Sequence, residues 1–276
     1  MKLDIRNPVH FSKLNSITKY PSIMTYHVLG DKGVLKDELV KPFPNDTQLI
    51  ATEKIDGTNV RILFAADFTI FGSREEFLWE VHDLIGNPNM GIVDFFKPNF
   101  GHVHPRFDIS HDTWRILNHT IKDSSSLIVL YGELYGHKIG AAAKNYTQRQ
   151  EKNFRLFDVA TFDNVDQLME WDNDKISSWR ESGGQNFRSR DDLKLIGEKT
   201  GFDLAPVLFE SNSNDMPTDL GGTYQMMLNY KKTRVRIDAE EQDNNNNHSE
   251  GIVIRTPNRS HISKLRFEDY QKKARQ

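Results

Sequence analysis

Cysteine is absent from this chain of 276 residues. Its absence excludes disulfide bonds, thiolate metal sites and a cysteine nucleophile. No apolar run reaches the roughly eighteen residues that a transmembrane helix needs, and residues 1–10 carry charges early and lack the apolar core of a signal peptide. These absences favour an intracellular, cytoplasmic protein without a membrane partner.

An excess of basic residues is also missing, because 36 Lys and Arg face 39 Asp and Glu and the net charge is −3. Many nucleic-acid enzymes have a basic balance, so any surface for a polyanion must be local here. The best candidate is the stretch Lys-Lys-Thr-Arg-Val-Arg at residues 231–236. A solvated stretch answered by Glu240 and Glu241 is an equally good interpretation.

β-Branched and aromatic runs predict strands that come in clusters, with helices between the clusters. This order favours an α+β fold with antiparallel sheets over a doubly wound fold. No internal repeat and no clear linker divides the chain. The predicted strands are 48–55, 59–64, 68–72, 127–134, 154–160, 204–209, 251–255 and 261–267. The predicted helices are 75–85, 113–122, 165–180 and 190–200, and residues 87–111 have the composition of a loop insertion.

Lys54 lies in the segment Glu-Lys-Ile-Asp-Gly-Thr-Asn at residues 53–59, between two predicted strands. A free lysine has a pKa of about 10.4 and is protonated at neutral pH. Partial burial or a nearby cation lowers the pKa of a lysine and frees its lone pair to attack phosphorus. Lys54 is therefore a candidate nucleophile. A surface lysine beside an Asp-Gly turn is the alternative, unless other segments supply a nucleotide site.

Three later segments carry groups that suit a nucleotide. Arg74 follows a predicted strand, and an arginine there can bind a phosphate with two hydrogen bonds. Glu133 lies in Gly-Glu-Leu-Tyr-Gly, where it can accept hydrogen bonds from ribose hydroxyls or hold a metal ion. Phe154 and Phe157 lie on a predicted strand, and one of them can stack on a purine while the other faces the core.

The last segments place charges around an apolar strand. Glu250 precedes Gly-Ile-Val-Ile and Arg255 ends that strand. Lys264 and Arg266 are two residues apart on the final strand, so they share one face. Two cations on one face repel each other unless an anion lies between them, and a triphosphate fits that position. A basic edge strand that discourages sheet pairing is the alternative.

Taken in order, these segments resemble those of the covalent nucleotidyltransferase superfamily of ATP-dependent DNA ligases, RNA ligases and mRNA capping enzymes. The resemblance is greatest to the RNA ligase 2 type and covers residues 53–266. It implies the ATP-grasp-like nucleotidyltransferase fold, which has two antiparallel sheets flanked by helices with the nucleotide site between them. It also implies ATP as the AMP donor and Mg²⁺ or Mn²⁺ as the metal ion.

The resemblance implies a role for each matching residue near the nucleophile. Lys54 matches the lysine that attacks the α-phosphate of ATP and forms lysyl–AMP. Glu53 matches a residue that lines the adenine pocket, and Ile55 is grouped with the nucleotide-binding residues beside it. Asn59 matches a residue near the phosphates. Arg74 matches the arginine that contacts the nucleotide and the nucleic-acid 5′ phosphate.

The later segments match in the same way. Glu133 matches an acid that organises the ribose and the metal ion, and Phe157 matches the aromatic residue that stacks on adenine. Glu250 matches the acid that helps to bind the metal ion. Arg255 stands among the nucleotide-binding residues, at a position where the family usually has lysine. Lys264 and Arg266 match the terminal pair of cations, which is catalytic and also contacts the nucleotide, with Arg266 in place of a frequent second lysine.

The resemblance implies an ATP-dependent RNA ligase that transfers AMP to a 5′ phosphate and seals it to a 3′ hydroxyl, as in RNA repair. Asp56 departs from the histidine frequent in the closest RNA ligases and matches DNA ligases and capping enzymes. A DNA ligase or a capping-type nucleotidyltransferase is therefore an alternative. A non-catalytic module that binds nucleotides or nucleic acid is a further one.

The expected organisation is one adenylyltransferase domain over residues 1–276, without a C-terminal OB or helical domain, because only ten residues follow Arg266. The expected partner is RNA, as a nicked duplex or as 5′-phosphate and 3′-hydroxyl ends, with an RNA–DNA hybrid as another candidate. A monomer is expected, with a partner protein as a possible aid to nucleic-acid binding.

Overall fold

The computed structural model describes residues 5–66, 68–80, 83–84, 89–96, 116–117, 119, 127–238 and 247–273. These residues divide into two compact units. The first unit comprises the described parts of 1–22, 58–134 and 154–204, and the second comprises those of 23–57, 135–153 and 205–276. Each unit is therefore built from three separate stretches of chain.

The strands of the described residues are β1 (His27–Leu29), β2 (Leu35–Leu39), β3 (Gln48–Lys54), β4 (Thr58–Ala65), β5 (Thr69–Ser73), β6 (Phe77–Glu80), β7 (Asp83–Leu84), β8 (Leu127–Gly136), β9 (Lys152–Phe162), β10 (Asn186–Phe187), β11 (Val207–Asn212), β12 (Gly251–Arg255) and β13 (Ile262–Arg266). The helices are α1 (Pro8–Ile17), α2 (Ile92–Phe96), α3 (Ala143–Tyr146), α4 (Val165–Glu170), α5 (Asn173–Glu181), α6 (Arg190–Thr200), α7 (Leu220–Leu228) and α8 (Phe267–Lys273). Single 3₁₀ turns occupy Asp31–Gly33, Asn89–Gly91 and Ser213–Asp215. Within the described residues, no helix has the length and apolarity required to cross a membrane.

The first unit is organised around a seven-stranded sheet in the order β10-β9-β8-β4-β5-β6-β7. Strand β4 pairs antiparallel with both β5 and β8. Strand β8 is buried along its whole length except at Glu133, which is half-buried. A strand covered on both faces needs an almost unbroken apolar sequence, and Leu-Ile-Val-Leu-Tyr in β8 supplies it.

Arg61 ties α1 to this sheet from inside the core. Its side chain is completely buried on β4, and it donates hydrogen bonds to the carbonyl oxygen of Asn15 at 2.7 Å and to Thr18 Oγ1 at 3.0 Å. A third hydrogen bond goes to Asn15 Oδ1, and the guanidinium lies 4.4 Å from the ring centroid of Phe77. Burial lowers the pKa of Arg61 to about 10, so the side chain remains charged at neutral pH.

The second unit contains a four-stranded antiparallel sheet in the order β11-β3-β12-β13 and the ribbon β1-β2. Alternate residues of the sheet point towards α7 and α8, because side chains of a strand alternate between its faces. This core cluster joins Leu49, Ala51, Ile252, Ile254 and Leu265 of the sheet to Leu220 and Met227 of α7 and to Phe267 and Tyr270 of α8. The residues between these positions point to the opposite face of the sheet, which is not part of this core cluster.

The α+β class with antiparallel sheets is confirmed, and all eight predicted strands have a counterpart. The helix predicted over residues 75–85 is wrong, because β6 and β7 occupy that region. Phe77 and Leu78 are both buried, and a short run with both faces buried has no period that separates strand from helix. The helix predicted over 165–180 is two helices, α4 and α5, and the Asp172 side chain caps the second by accepting from Lys175 N at 2.7 Å. Most of the helix predicted over 113–122, and residues 97–111 of the predicted insertion, lie outside the described residues.

Candidate active site

Lys54 is the last residue of β3, in the second unit, and its side chain is paired with Glu250. Lys54 Nζ donates a hydrogen bond to Glu250 Oε2, and the backbone N–H of Glu250 donates to the carbonyl oxygen of Lys54 at 3.0 Å. The two side chains are 25% and 21% exposed. The amine is therefore held by an ion pair, and both side chains are only partly buried.

The register of three strands brings Lys54, Lys264 and Arg266 to one face of the sheet. Gly251 of β12 lies opposite Lys54 of β3 and opposite Arg266 of β13, and residues directly opposite each other share a face. One step along, Val253 lies opposite Lys264. A Cβ at Gly251 would lie 1.9 Å from the carbonyl oxygen of Leu265. Glycine is therefore required between Lys54 and Arg266.

Arg266 has carboxylate partners within its own unit. Its Nε and one terminal nitrogen bond both carboxylate oxygens of Asp269 at 2.8 Å, and Nη1 lies 2.8 Å from Glu268. The hydrogen bonds to Asp269 raise the pKa of Arg266. The first turn of α8 therefore supplies negative charge beside the predicted cation pair, and Arg266 reaches the site as a fixed ion pair.

Glu53 points away from Lys54, towards the core side of the same sheet. It is 3% exposed, and it lies opposite Ile252 of the core cluster. Its carboxylate accepts a hydrogen bond from Thr233 Oγ1 and one from the backbone N–H of Arg234 at 2.8 Å. The predicted adenine-pocket residue thus holds a distant part of the chain in place.

Tyr146 was not indicated by the sequence. Its hydroxyl accepts a hydrogen bond from the backbone N–H of Asp56 at 2.6 Å. Burial raises the pKa of Tyr146, and the charges of Glu53, Asp56 and Glu250 raise it further. The short helix α3 carries no local pattern that marks a site residue, so no sequence signal leads to Tyr146.

The remaining predicted residues of the second unit are buried. Ile55 is 4% exposed and packs in a small cluster with Tyr135, Tyr146 and Val235. Arg255 is 3% exposed at the far end of β12, where its Nε donates to the carbonyl oxygen of Thr256 at 3.5 Å. It lies four positions after Gly251, which corresponds to about 13 Å along the strand.

In the first unit, Asn59 and Glu133 lie directly opposite each other on β4 and β8. Their side chains therefore share a face of the seven-stranded sheet. The side-chain oxygen of Asn59 is buried and has no hydrogen-bond partner among the described residues. A buried amide oxygen without a partner is costly, so this face has unused hydrogen-bonding capacity beside Glu133.

The two phenylalanines of β9 have different surroundings. Phe154 is completely buried, and a Cβ at Gly132 would lie 2.0 Å from its ring. Phe157 is half-buried, with its ring centroid 5.2 Å from that of Tyr20 in an edge-to-face contact. Tyr20 in turn donates a hydrogen bond to Asp158 at 2.8 Å. Phe157 is therefore the ring that retains an accessible surface.

Arg74 follows β5 and is exposed. One of its terminal nitrogens donates to Ser22 Oγ at 3.3 Å, and its Nε lies 3.8 Å from Glu75. These long contacts restrain the guanidinium weakly. It remains available to a phosphate.

The family model described as RNA ligase matches residues 47–271. This chain belongs to the RNA ligase family. The match contains every candidate site residue from Glu53 to Arg266. No protein of curated function matches the sequence. The predicted recognition of an RNA ligase-type nucleotidyltransferase is confirmed at the level of the family.

Solved structures of Naegleria gruberi RNA ligase are similar to this family member at low identity. The ligase with PPi is 14% identical with a TM-score of 0.49, and the match covers 84% of this chain and 52% of that one. A variant with ATP and Mn is 14% identical with a TM-score of 0.49, and the match covers 92% and 63%. A variant with AMP and Mn is 13% identical with a TM-score of 0.46, covering 92% and 63%. This chain spans only 52–63% of the length of those ligases.

Proposed function

We propose that this chain is an ATP-dependent RNA ligase that uses Lys54 as its nucleophile. The observation that carries the proposal is the Lys54–Glu250 pair, set one glycine away from Arg266 on a single sheet face, in a member of the RNA ligase family. An amine, a carboxylate and a cation in one row are the groups that nucleotidyl transfer to a lysine needs.

In the first step, Nζ of Lys54 loses a proton and attacks the α-phosphorus of ATP. A nitrogen–phosphorus bond forms, the bond from the α-phosphorus to the bridging oxygen breaks, and pyrophosphate leaves. The Glu250 oxygen that is hydrogen-bonded to Nζ is positioned to receive the proton. Lys264 and Arg266 stabilise the negative charge that develops on the phosphates.

We assign the nucleotide contacts by side-chain chemistry. Phe157 offers a half-exposed ring for adenine, and Glu133 accepts hydrogen bonds from the ribose. Asn59 and Arg74 bind the phosphates. Glu53 and Ile55 are included among the proposed nucleotide-binding residues because they are adjacent to Lys54 in sequence. Arg255 is included because it ends β12.

The metal ion of the proposed reaction is a divalent cation that arrives with the nucleotide. Among the described residues, no three His, Asp or Glu side chains are grouped as a metal site. Mg²⁺ needs only one or two carboxylates when phosphates and waters fill its other positions. Glu250 and Glu133 are the ligands that we propose. The cation, Mg²⁺ or Mn²⁺, would neutralise phosphate charge.

The later steps pass AMP to RNA. The 5′ phosphate attacks lysyl–AMP, which forms a phosphate–phosphate linkage and returns Lys54 to its amine. A 3′ hydroxyl then attacks the activated 5′ phosphate and AMP leaves. The first attack brings two anionic phosphates together, and the second develops negative charge on the phosphate under attack, so cations near the 5′ phosphate, such as Arg74, assist both steps.

The test is covalent labelling with ATP that carries the label on its α-phosphate. We expect a label that survives denaturation when Mg²⁺ or Mn²⁺ is present and that does not form when EDTA is added before the ATP. Lys54→Ala should abolish it. Lys36→Ala, which changes an exposed lysine of β2 in the same unit, should label like the wild type. A Lys54→Ala protein that still labels would contradict the proposal.

Asp56 favours the alternative functions, a DNA ligase or a capping-type nucleotidyltransferase, because those enzymes also have aspartate at this position. Labelling by GTP in place of ATP would indicate a capping-type enzyme. Competition between nicked RNA, nicked DNA and RNA–DNA hybrids separates the ligase types. ATP binding without a covalent label would indicate a non-catalytic binding module.

A further inference from the structure

Two segments of the second unit carry nearly all of their charge as lysine and arginine. Residues 137–152 contain four Lys or Arg and one acid, Glu151, and residues 231–238 contain four Lys or Arg and one acid, Asp238. The whole chain has more acids than bases, so this composition is local. We call these eight side chains the basic face: Lys138, Lys144, Arg149, Lys152, Lys231, Lys232, Arg234 and Arg236.

The two segments are bound to each other. Ile237 N–H donates to the carbonyl oxygen of Tyr146 at 2.8 Å. The Asp238 carboxylate accepts from the N–H of Gln148 at 2.7 Å and from Thr147 Oγ1 at 3.4 Å. The basic face is therefore formed by tertiary structure from residues that are about 90 positions apart.

Asp238 balances one of these eight charges, that of Arg236. Asp238 is 2% exposed, and its other oxygen is bonded to Arg236 Nε at 2.7 Å. Five of the cations are exposed: Lys138, Lys144, Arg149, Lys232 and Arg234. Thr233 is buried between the exposed residues Lys232 and Arg234, so alternation turns these two cations outward. Glu240 and Glu241 are the acids that would balance the charge of the second segment in the alternative interpretation. They lie outside the described residues.

Both segments are also bound to residues that flank the nucleophile. Arg234 N–H and Thr233 Oγ1 donate to Glu53, the residue before Lys54. Tyr146 accepts from the N–H of Asp56, two residues after it. The basic face is thus anchored to the residues on either side of Lys54 in the sequence.

We propose that the basic face binds the phosphate backbone of the RNA strand whose 5′ end receives AMP from Lys54. This inference rests on the proposed function and adds the surface that function needs. Exposed cations lower their mutual repulsion by binding evenly spaced phosphates, with release of counterions. A negatively charged protein can bind RNA in this way because screening limits the effect of distant charges to about 10 Å at 0.1 M salt.

The test is direct RNA binding without nucleotide, by fluorescence anisotropy of a labelled, 5′-phosphorylated single strand at several salt concentrations. The variant Lys144→Gln with Lys232→Gln removes one cation from each segment. Each lost phosphate contact should reduce the slope of log K against log salt by about 0.7. Two lost contacts then weaken binding by roughly 25-fold at 0.1 M salt. Lys138→Gln with Arg149→Gln is the second pair, should the first fail to fold.

The matched control is Lys194→Gln with Lys199→Gln, which removes the same charge from exposed positions of α6 in the first unit. We expect its affinity and salt slope to equal those of the wild type. Equal RNA affinity of the wild type and both basic-face pairs, or an equal loss in the control, would overturn the inference.

Lysyl–AMP formation is measured on the same preparations, because it does not require RNA. If the wild type never forms lysyl–AMP, the proposed function is refuted. The RNA-binding measurement then decides the inference about the basic face by itself. A basic-face pair that needs more ATP while binding RNA normally would show that these cations serve the triphosphate, and it would overturn the inference.

Discussion

Lys54 and Glu250 form a pair that is neither sealed from water nor fully solvated. An ion pair with this exposure contributes about 0–1 kcal/mol to stability, so its main consequence is the position of the amine. Tyr146 lies beside the same segment, and its raised pKa keeps its hydroxyl protonated at neutral pH. Since that hydroxyl accepts from Asp56 N–H, its own proton remains available to a further acceptor.

At the residue scale, the sharpest prediction concerns Glu250. Glu250→Gln retains the shape of the side chain and removes its charge. We expect lysyl–AMP formation to slow by about 100-fold, because the amide cannot receive the Lys54 proton and binds a divalent cation poorly. The rate of labelling from ATP measures the effect.

Glu38→Gln serves as the control for that prediction, because Glu38 is an exposed acid on β2 of the same unit. It should label at the wild-type rate. Wild-type labelling by Glu250→Gln would remove Glu250 from the chemistry and leave it as a structural partner of Lys54.

At the scale of elements, strand register assembles the candidate site. Alternation along β13 places Lys264 and Arg266 on one face from the sequence alone, but pairing with β12 determines that Lys54 faces Arg266 across Gly251. A register shift of one residue would move every side chain of a strand to the other face. The collision of any side chain at Gly251 with Leu265 helps to fix this register.

Asp238 joins two elements of the second unit, and its pKa predicts a pH dependence. Burial would raise this pKa, but hydrogen bonds from Gln148 N–H and Arg236 outweigh it, and the net value lies below the ordinary 3.8. A carboxyl whose pKa is lower in the folded protein stabilises the fold above its unfolded pKa. That stabilisation is lost as the pH falls below about 4 through the folded pKa.

We therefore expect Asp238→Asn to be less stable than the wild type at pH 7, with a difference that shrinks below pH 4. Urea unfolding of both proteins between pH 3 and pH 7 measures it. Asp215→Asn, at a 3₁₀ turn of the same unit, is the control and should show no comparable change. A difference that stays constant over this range would contradict the assignment.

Much of the element pattern could be predicted, since β-branched and aromatic runs led to eight of the strands, although β1, β2, β6, β7 and β10 were missed. The helix predicted at residues 75–85 was wrong because buried runs lack a period. Helices α1 and α7 were missed, since their packing faces become evident only against a sheet. Among the site residues, the family motifs led to Lys54 and Glu250. Tyr146 could not be found, because its role depends on a backbone N–H that is 90 residues away.

At the scale of the whole molecule, the chain forms two units, each assembled from three stretches. The segment at residues 53–59 crosses from one unit to the other, with Lys54 in the second and Asn59 in the first. The net charge of the whole chain, −3, also gives no indication of the local positive charge of the basic face. The organisation as one adenylyltransferase domain stays a prediction.

The complete reaction provides the prediction at this scale. Protein carrying labelled AMP, freed of ATP, should pass the label to RNA that has a 5′ phosphate, and not to the same RNA with a 5′ hydroxyl. Only the phosphate can form the phosphate–phosphate linkage. Gel separation of labelled protein from labelled RNA measures the transfer. Transfer to both RNAs, or to neither, would contradict the proposed second step.

The sequence by itself determined the family and eight of the strands and led to Lys54 as the candidate nucleophile, because these depend on residue type and order along the chain. The tertiary structure decided which groups surround Lys54. Glu250 is 196 residues away from it in sequence, and Thr233 is 180 residues away from Glu53. Such contacts follow from strand register and from the packing of distant segments. Neither is encoded in local spacing, so the basic face emerged only when the chain was folded.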